Sequence, residues 1–180
     1  MGEICAPGPV KLFVGMLARS VDMFEIAQNE MSARFGPTDS SSDVMPFDFT
    51  DYYEREMGPG LLRKFAVFDK MINPADLVMA KLFTNEVERR ISRQRGSERR
   101  LINLDPGYIA PSKLVLASTK DYSHRIYLGE GIFAEVTLYY ANKRFNPWPW
   151  TYPDYKTDAY CQFFDNVRKR YLEKLRAVEA

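Results

Sequence analysis

NLDPGYIAPSKLVLASTKDYSHRIYLGEGIFAEVTLYY, residues 103–140, holds the clearest hairpin in the chain and its densest run of reactive side chains. Residues 123–128 and 132–140 read as paired strands, and Glu130-Gly131 can serve as the two-residue turn between them. In that register residue 126 faces 135 and residue 124 faces 137. His124, Ile126, Leu128, Phe133, Glu135 and Thr137 then share one face. A three-residue turn would place His124 and Glu135 on opposite faces, because side chains alternate with a period of two. Upstream, Asp105-Pro106-Gly107 suits a tight turn, with proline fixing φ and glycine free to take positive φ. Residues 111–118 fit a short helix.

Toward the N-terminus, the apolar run KLFVGMLA (residues 11–18) suits a buried strand. Ser20 can cap a helix whose Phe24, Ala27, Met31 and Phe35 recur at helical spacing, and Gly36-Pro37 ends it. Residues 38–44 read as a polar loop. An aromatic strand over 46–53 follows, then the Gly58-Pro59-Gly60 break and a strand over 62–68. Asn73-Pro74 starts a helix with Leu77, Ala80, Val87 and Ile91 on one face, ending at Gly96, and residues 101–105 form a short strand. Beyond the hairpin, the prolines of NPWPWTYPDY (residues 146–155) bar a central strand. The chain closes with a helix striped by Phe163, Phe164, Val167, Tyr171, Leu175 and Val178.

Strand, helix, strand, strand, helix, strand is the split pattern of a ferredoxin-like unit. The expected fold is therefore α+β: a ferredoxin-like βαββαβ unit extended by a C-terminal β-hairpin and a terminal helix. The sheet should be mostly antiparallel, with helices on one face. One domain over residues 1–180, with an ordered core of about 10–178, fits the length.

A net charge of +1 gives no overall field to draw nucleic acid or an anionic membrane. Cys5 and Cys161 are too few for a disulfide framework, and with a single histidine they cannot build a usual zinc site. LFVGMLA is too short for a signal peptide and lacks a basic lead, so a cytoplasmic location is expected. No G-x-S-x-G elbow marks a serine hydrolase, and the lone histidine excludes paired-histidine phosphodiesterases.

Across nearly its whole length the chain resembles the domain of unknown function 4416 family. The resemblance rests on PVKLFVGML, FTDYYEREMG, NLDPGYI, the block LASTKDYSHRIYLGEGIFAEVTLYY and WTYPDY. It implies a bacterial, single-domain, soluble protein with no established activity. Some relatives carry a GTP-binding label. This chain has no G-x-x-x-x-G-K-[ST] loop, and Thr119-Lys120-Asp121 lacks the spacer of a guanine-reading motif.

The chemistry concentrates around residues 103–140. His124 beside Asp121 and Glu135 offers acid–base catalysis, and Lys120 and Arg125 can hold negative groups. Tyr108 and Tyr155 can close a pocket; Asp105 and Asp51 complete the ligand-binding set. The blander reading is a packed strand-edge histidine among solvated charges. The cofactor stays unnamed: carboxylates such as Asp51 are compatible with a hard cation such as Mg²⁺, usually held by one or two side chains plus water. The leading function is binding or processing of a small anionic ligand, a nucleotide or a phosphorylated metabolite. The alternative is a structural or protein-interaction module. Nucleic-acid binding through the arginine-rich residues 89–100 ranks third, because such a segment is more often a solvated helix end.

Overall fold

The computed structural model describes residues 2–179, with side chains described as far as residue 177. Strand β1 (Val10–Ala18) is buried along its whole length, which explains its unbroken apolar character: both faces of the sheet are covered there. α1 (Val21–Phe35) follows, then two short strands, β2 (Thr38–Ser41) and β3 (Met45–Phe47), and a single helical turn, α2 (Glu54–Met57). β4 (Leu61–Ile72) is long. Asn73 caps the next helical segment, accepting the Ala75 N–H at 2.9 Å, and leads through a 3₁₀ turn into α3 (Leu77–Gln94). β5 (Ile102–Ala110), β6 (Lys113–Ser118), β7 (Ile126–Gly129), β8 (Ile132–Ala141) and β9 (Arg144–Pro147) come next, and α4 (Asp158–Glu179) closes the chain.

The nine strands form one sheet in the order β2-β4-β1-β5-β6-β8-β7, with β3 also on β4 and β9 also on β8, and every pairing is antiparallel. Alternation along β1 sorts the core. Leu12, Val14, Met16 and Ala18 pack under α1 and α3, whereas Phe13 packs under α4. Helices therefore lie on both faces, not on one as expected. The α4 side is an aromatic core, with the Phe164 ring 5.0 Å from Phe13 and 4.9 Å from Phe65. Val178, expected at the end of the α4 stripe, has its side chain outside the described residues.

Four local expectations are corrected. Residues 38–41, read as loop, are an edge strand: β4 extends beyond the predicted 62–68 and offers a backbone row for polar residues to pair with. The aromatic strand expected over 46–53 ends at Phe47, and the chain turns into α2. Residues 113–118, read as helix, form β6, buried between β5 and β8. Asp105-Pro106-Gly107 is strand interior. A Cβ on Gly107 would lie 2.5 Å from the Val115 carbonyl oxygen and 2.6 Å from Phe13 Cζ, so the glycine serves close packing and not a turn.

The Glu130-Gly131 turn holds, with positive φ at both residues (53° and 73°). A bulge between Tyr127 and Gly129 shifts the strands by one, so Ile126 faces Ala134 and not Glu135.

An ion network, buried at Lys11 and open to solvent at Lys174, fastens the sheet to α4. Lys11, 2% exposed, donates to Asp39 Oδ2 at 2.5 Å and to the Asp69 carbonyl at 3.0 Å. Lys174 of α4 reaches both Asp39 and Asp69.

Candidate functional site

β5 and β6 run side by side only from Gly107, opposite Leu116, to Ala110, opposite Lys113. Pro106, which has no N–H to offer, stands where that ladder stops, and β5 continues without β6 toward Ile102. Side chains of α3 take over. Glu88 accepts the Leu104 N–H at 2.6 Å, and Lys81 Nζ donates to the Leu104 carbonyl at 2.8 Å. The helix thus satisfies backbone groups that a neighbouring strand would otherwise pair. Burial pushes the Glu88 carboxyl up to about 7, against the pull of Lys81, the Leu104 N–H and Arg100.

The parted strands open a cleft of about 660 Å³. Arg63 of β4 forms part of its lining, 4% exposed, and donates to Asp154 Oδ2 at 2.8 Å. The guanidinium carbon lies 5.0 Å from the Phe47 ring centre and 5.9 Å from that of Tyr155. Arg63 Nε and Nη1 and the buried Tyr155 hydroxyl have no hydrogen-bond partner. Beneath them is Gly15: a Cβ there would stand 3.1 Å from Tyr155 Oη and 3.2 Å from Arg63 Nη1, so glycine lets both groups settle on β1.

Asp105 accepts from Lys81 at 3.1 Å and from Asn103 at 2.5 Å. Burial works to raise its pKa, but Lys81, Arg63 and these hydrogen bonds outweigh that and hold it below the usual carboxylate range. Phe47, Phe49, Tyr52 and Tyr53 line the cleft from one segment, and Tyr152 and Tyr155 from another. Burial raises the Tyr53 and Tyr155 hydroxyls and pushes Tyr152 up to about 12, so all three stay protonated at neutral pH. At the rim Lys120 Nζ contacts the Tyr52 hydroxyl and lies 4.2 Å from that ring's centre. Among the described residues Lys120 forms no ion pair, while the other lining cations, Arg63, Lys81 and Arg100, each pair with a carboxylate.

The structure brings together some of the residues singled out above and separates others. Asp105, Lys120, Glu135 and Tyr155 line the cleft. Glu135 is almost wholly buried; it accepts from Arg125 Nε at 2.8 Å, lies 3.3 Å from His124 Nε2 and accepts from the Thr137 hydroxyl at 3.2 Å. His124 and Glu135 meet despite the register shift because His124 sits in the turn before β7, outside the ladder. His124 does not itself line the cleft; its ring stacks on Trp150, centres 5.5 Å apart, and Trp150 on Trp148 at 5.1 Å. Arg125 also donates to the Tyr152 hydroxyl, and its pairing with Glu135 and Tyr152 offsets burial and keeps it cationic.

Asp121 and Asp51 are exposed and outside the lining. Tyr108 packs with Leu77 and Val115, also outside it. Among the described residues no three His, Cys, Asp or Glu side chains gather as a metal-holding group, and no helix is long and apolar enough to cross a membrane.

Sequence reading missed Arg63, Lys81 and Asn103. Arg63 had a signal: it falls in phase with Leu61, Phe65 and Val67, a charge on the inward face of an apolar strand. Asn103 and Asp105 likewise alternate onto one face of β5.

A family model described as "Domain of unknown function (DUF4416)" matches residues 8–171. No curated protein matches the chain, and no solved structure does.

Proposed function

The chain belongs to the DUF4416 family, whose description assigns no reaction, and we propose from the cleft itself that the protein binds or processes a small anionic metabolite. The ligand class is a flat-bodied phosphate or carboxylate compound, a nucleotide or phosphorylated metabolite being of the right size. One observation carries the reading. Arg63 Nε, Arg63 Nη1 and the Tyr155 hydroxyl are buried without partners beside a cleft of about 660 Å³. Buried polar groups nearly always find partners, and pockets of this volume commonly hold ligands. An acidic group in the cleft would supply acceptors once Arg63 turns toward it, Lys120 at the rim would add a free positive charge, and the aromatic side chains would flank a planar body. Glu135, fixed by Arg125 and His124, is the carboxylate suited to take or return a proton.

The order β2-β4-β1-β5, with α1 and α3 on one face, supports a ferredoxin-like reading of the N-terminal half. The free Cys5 and Cys161 fit a reducing, cytoplasmic setting.

A thermal-shift and calorimetric screen against phosphorylated and carboxylated metabolites tests the reading, repeated on Lys120→Ala. We expect a ligand whose affinity falls about tenfold in the variant, while the unliganded melting temperature is unchanged. Binding that is indifferent to Lys120, or silence across the screen together with a purified protein free of bound small molecules by native mass spectrometry, sinks it.

A second reading has one observation in its favour. Ile126, Tyr127 and Leu128 are exposed along the β7 edge, with Tyr122 exposed in the loop before it, which supports strand addition by a protein partner. Nucleic-acid binding loses ground: Arg89, Arg90, Arg93, Arg95 and Arg100 each pair with a carboxylate.

A further inference from the structure

We infer a second anion-binding site, in a groove of about 530 Å³ next to the cleft, that takes a small phosphate-rich molecule carrying two or more linked phosphates. Arg19, Arg95, Arg99 and Arg100 line it, with Ser20 and Ser97 between them and Asp22 and Glu56 as its only carboxylates. Arg95 pairs with Asp22 at 3.1 Å and Arg100 with Glu56 at 2.8 Å. Among the described residues Arg19 and Arg99 have no ion-pair partner, which leaves the groove with two uncompensated guanidiniums.

Arg19 lies close against Gly58. Gly58, with φ at 81°, presents bare backbone there, and a Cβ on it would stand 3.3 Å from Arg19 Nη1 and 3.4 Å from Arg19 Cδ. An arginine that rests on backbone without an acid keeps its fork of donors for a visitor. Arg99 belongs to the bend after α3, where the Ser97 hydroxyl accepts the Arg99 N–H at 3.1 Å and donates to the Arg99 carbonyl at 3.0 Å. The two free cations therefore come from segments eighty residues apart in sequence and line one concavity.

Several guanidiniums around one groove favour a multiply charged ligand over a single phosphate, since each added phosphate meets another fork. The Arg100–Glu56 pair lines both the groove and the cleft, so the two sites are neighbours that share this pair, while Arg19 and Arg99 belong to the groove alone.

Isothermal titration with sodium tripolyphosphate, orthophosphate and a short single-stranded RNA decides the matter, on the full chain, the Arg19→Ser/Arg99→Ser double variant and Lys120→Ala. Both arginines are exposed, so the double variant should melt as the parent does. The expected result is tripolyphosphate bound about tenfold or more tightly than orthophosphate, weakened about tenfold in the double variant and unchanged in Lys120→Ala. Tripolyphosphate that fails to bind, or that ignores the double substitution, overturns the groove and leaves the cleft untouched. Weakening only in Lys120→Ala transfers the anion to the cleft and also overturns it. RNA bound more tightly than tripolyphosphate, with the same dependence on Arg19 and Arg99, replaces the small-molecule class by nucleic acid.

Discussion

Glu88 shows how much one carboxyl can carry. It is 7% exposed, accepts the Leu104 N–H, and has its pKa pushed up to about 7 from the ordinary 4.5 by burial. The folded protein therefore holds this proton more tightly than the unfolded chain does. The resulting stabilisation is full below about pH 4.5 and is lost as pH rises toward 7, amounting to a few kcal/mol. Glu88→Gln keeps the acceptor and removes the titration. Urea denaturation of the variant should show a flatter stability profile between pH 4.5 and 7 and greater stability than the parent at pH 8; parallel profiles would contradict the assignment. Residues of this kind were hard to read from sequence. Glu88 looked like one acid in a helix of mixed charge, because its partner lies sixteen positions away on β5. Arg63 was more legible, as a charge in phase with inward-facing apolar neighbours.

Elements with local punctuation were the readable ones. Asn73-Pro74 announced the start of α3, and the structure shows the cap reciprocated: Asn73 accepts the Ala75 N–H, and Asp76 accepts the Asn73 N–H at 3.1 Å. Asn73→Ala should cost about 1 kcal/mol and Asn73→Gly only a few tenths, measured by chemical denaturation. Equal losses would mean that the side chain does no capping. Elements defined by distant partners were misread. KLVLAS is too short for periodicity to separate helix from strand, and burial between β5 and β8 decides it. Asp105-Pro106-Gly107 carries turn residues for a different reason: the proline stands where the β6 ladder ends and the glycine admits Phe13. The bulge before Gly129 left no trace in composition, so the hairpin turn was foreseen but not its register.

At the scale of the molecule, a three-layer arrangement sets helices on both faces of one antiparallel sheet, and charged groups join the layers. Lys11 lies in the buried strand β1 with Asp39 as its only carboxylate contact closer than 3 Å. Asp39→Ala would leave that ammonium buried without its near carboxylate, since Lys174 brings only further positive charge. A loss of about 3 kcal/mol is expected. Hydrogen exchange should show β1 and α4 loosening together; a loss confined to β2 would refute the shared anchorage. The cleft follows from the same organisation. Its lining comes from β3–β6, β8, α2, α3, the loops beside them and the segment before α4, which is why local spacing revealed Lys120 and Glu135 but not the surface they belong to.

The takeover of the Leu104 backbone by α3 gives the protein a built-in spectroscopic reporter. One amide proton, bonded to a carboxylate that changes charge near neutrality, should carry a chemical shift that titrates with Glu88. Because Lys81 grips both the neighbouring carbonyl and Asp105, the same resonance should move when the cleft fills. Occupancy could then be followed from a single nitrogen-15 peak, with no label on the ligand.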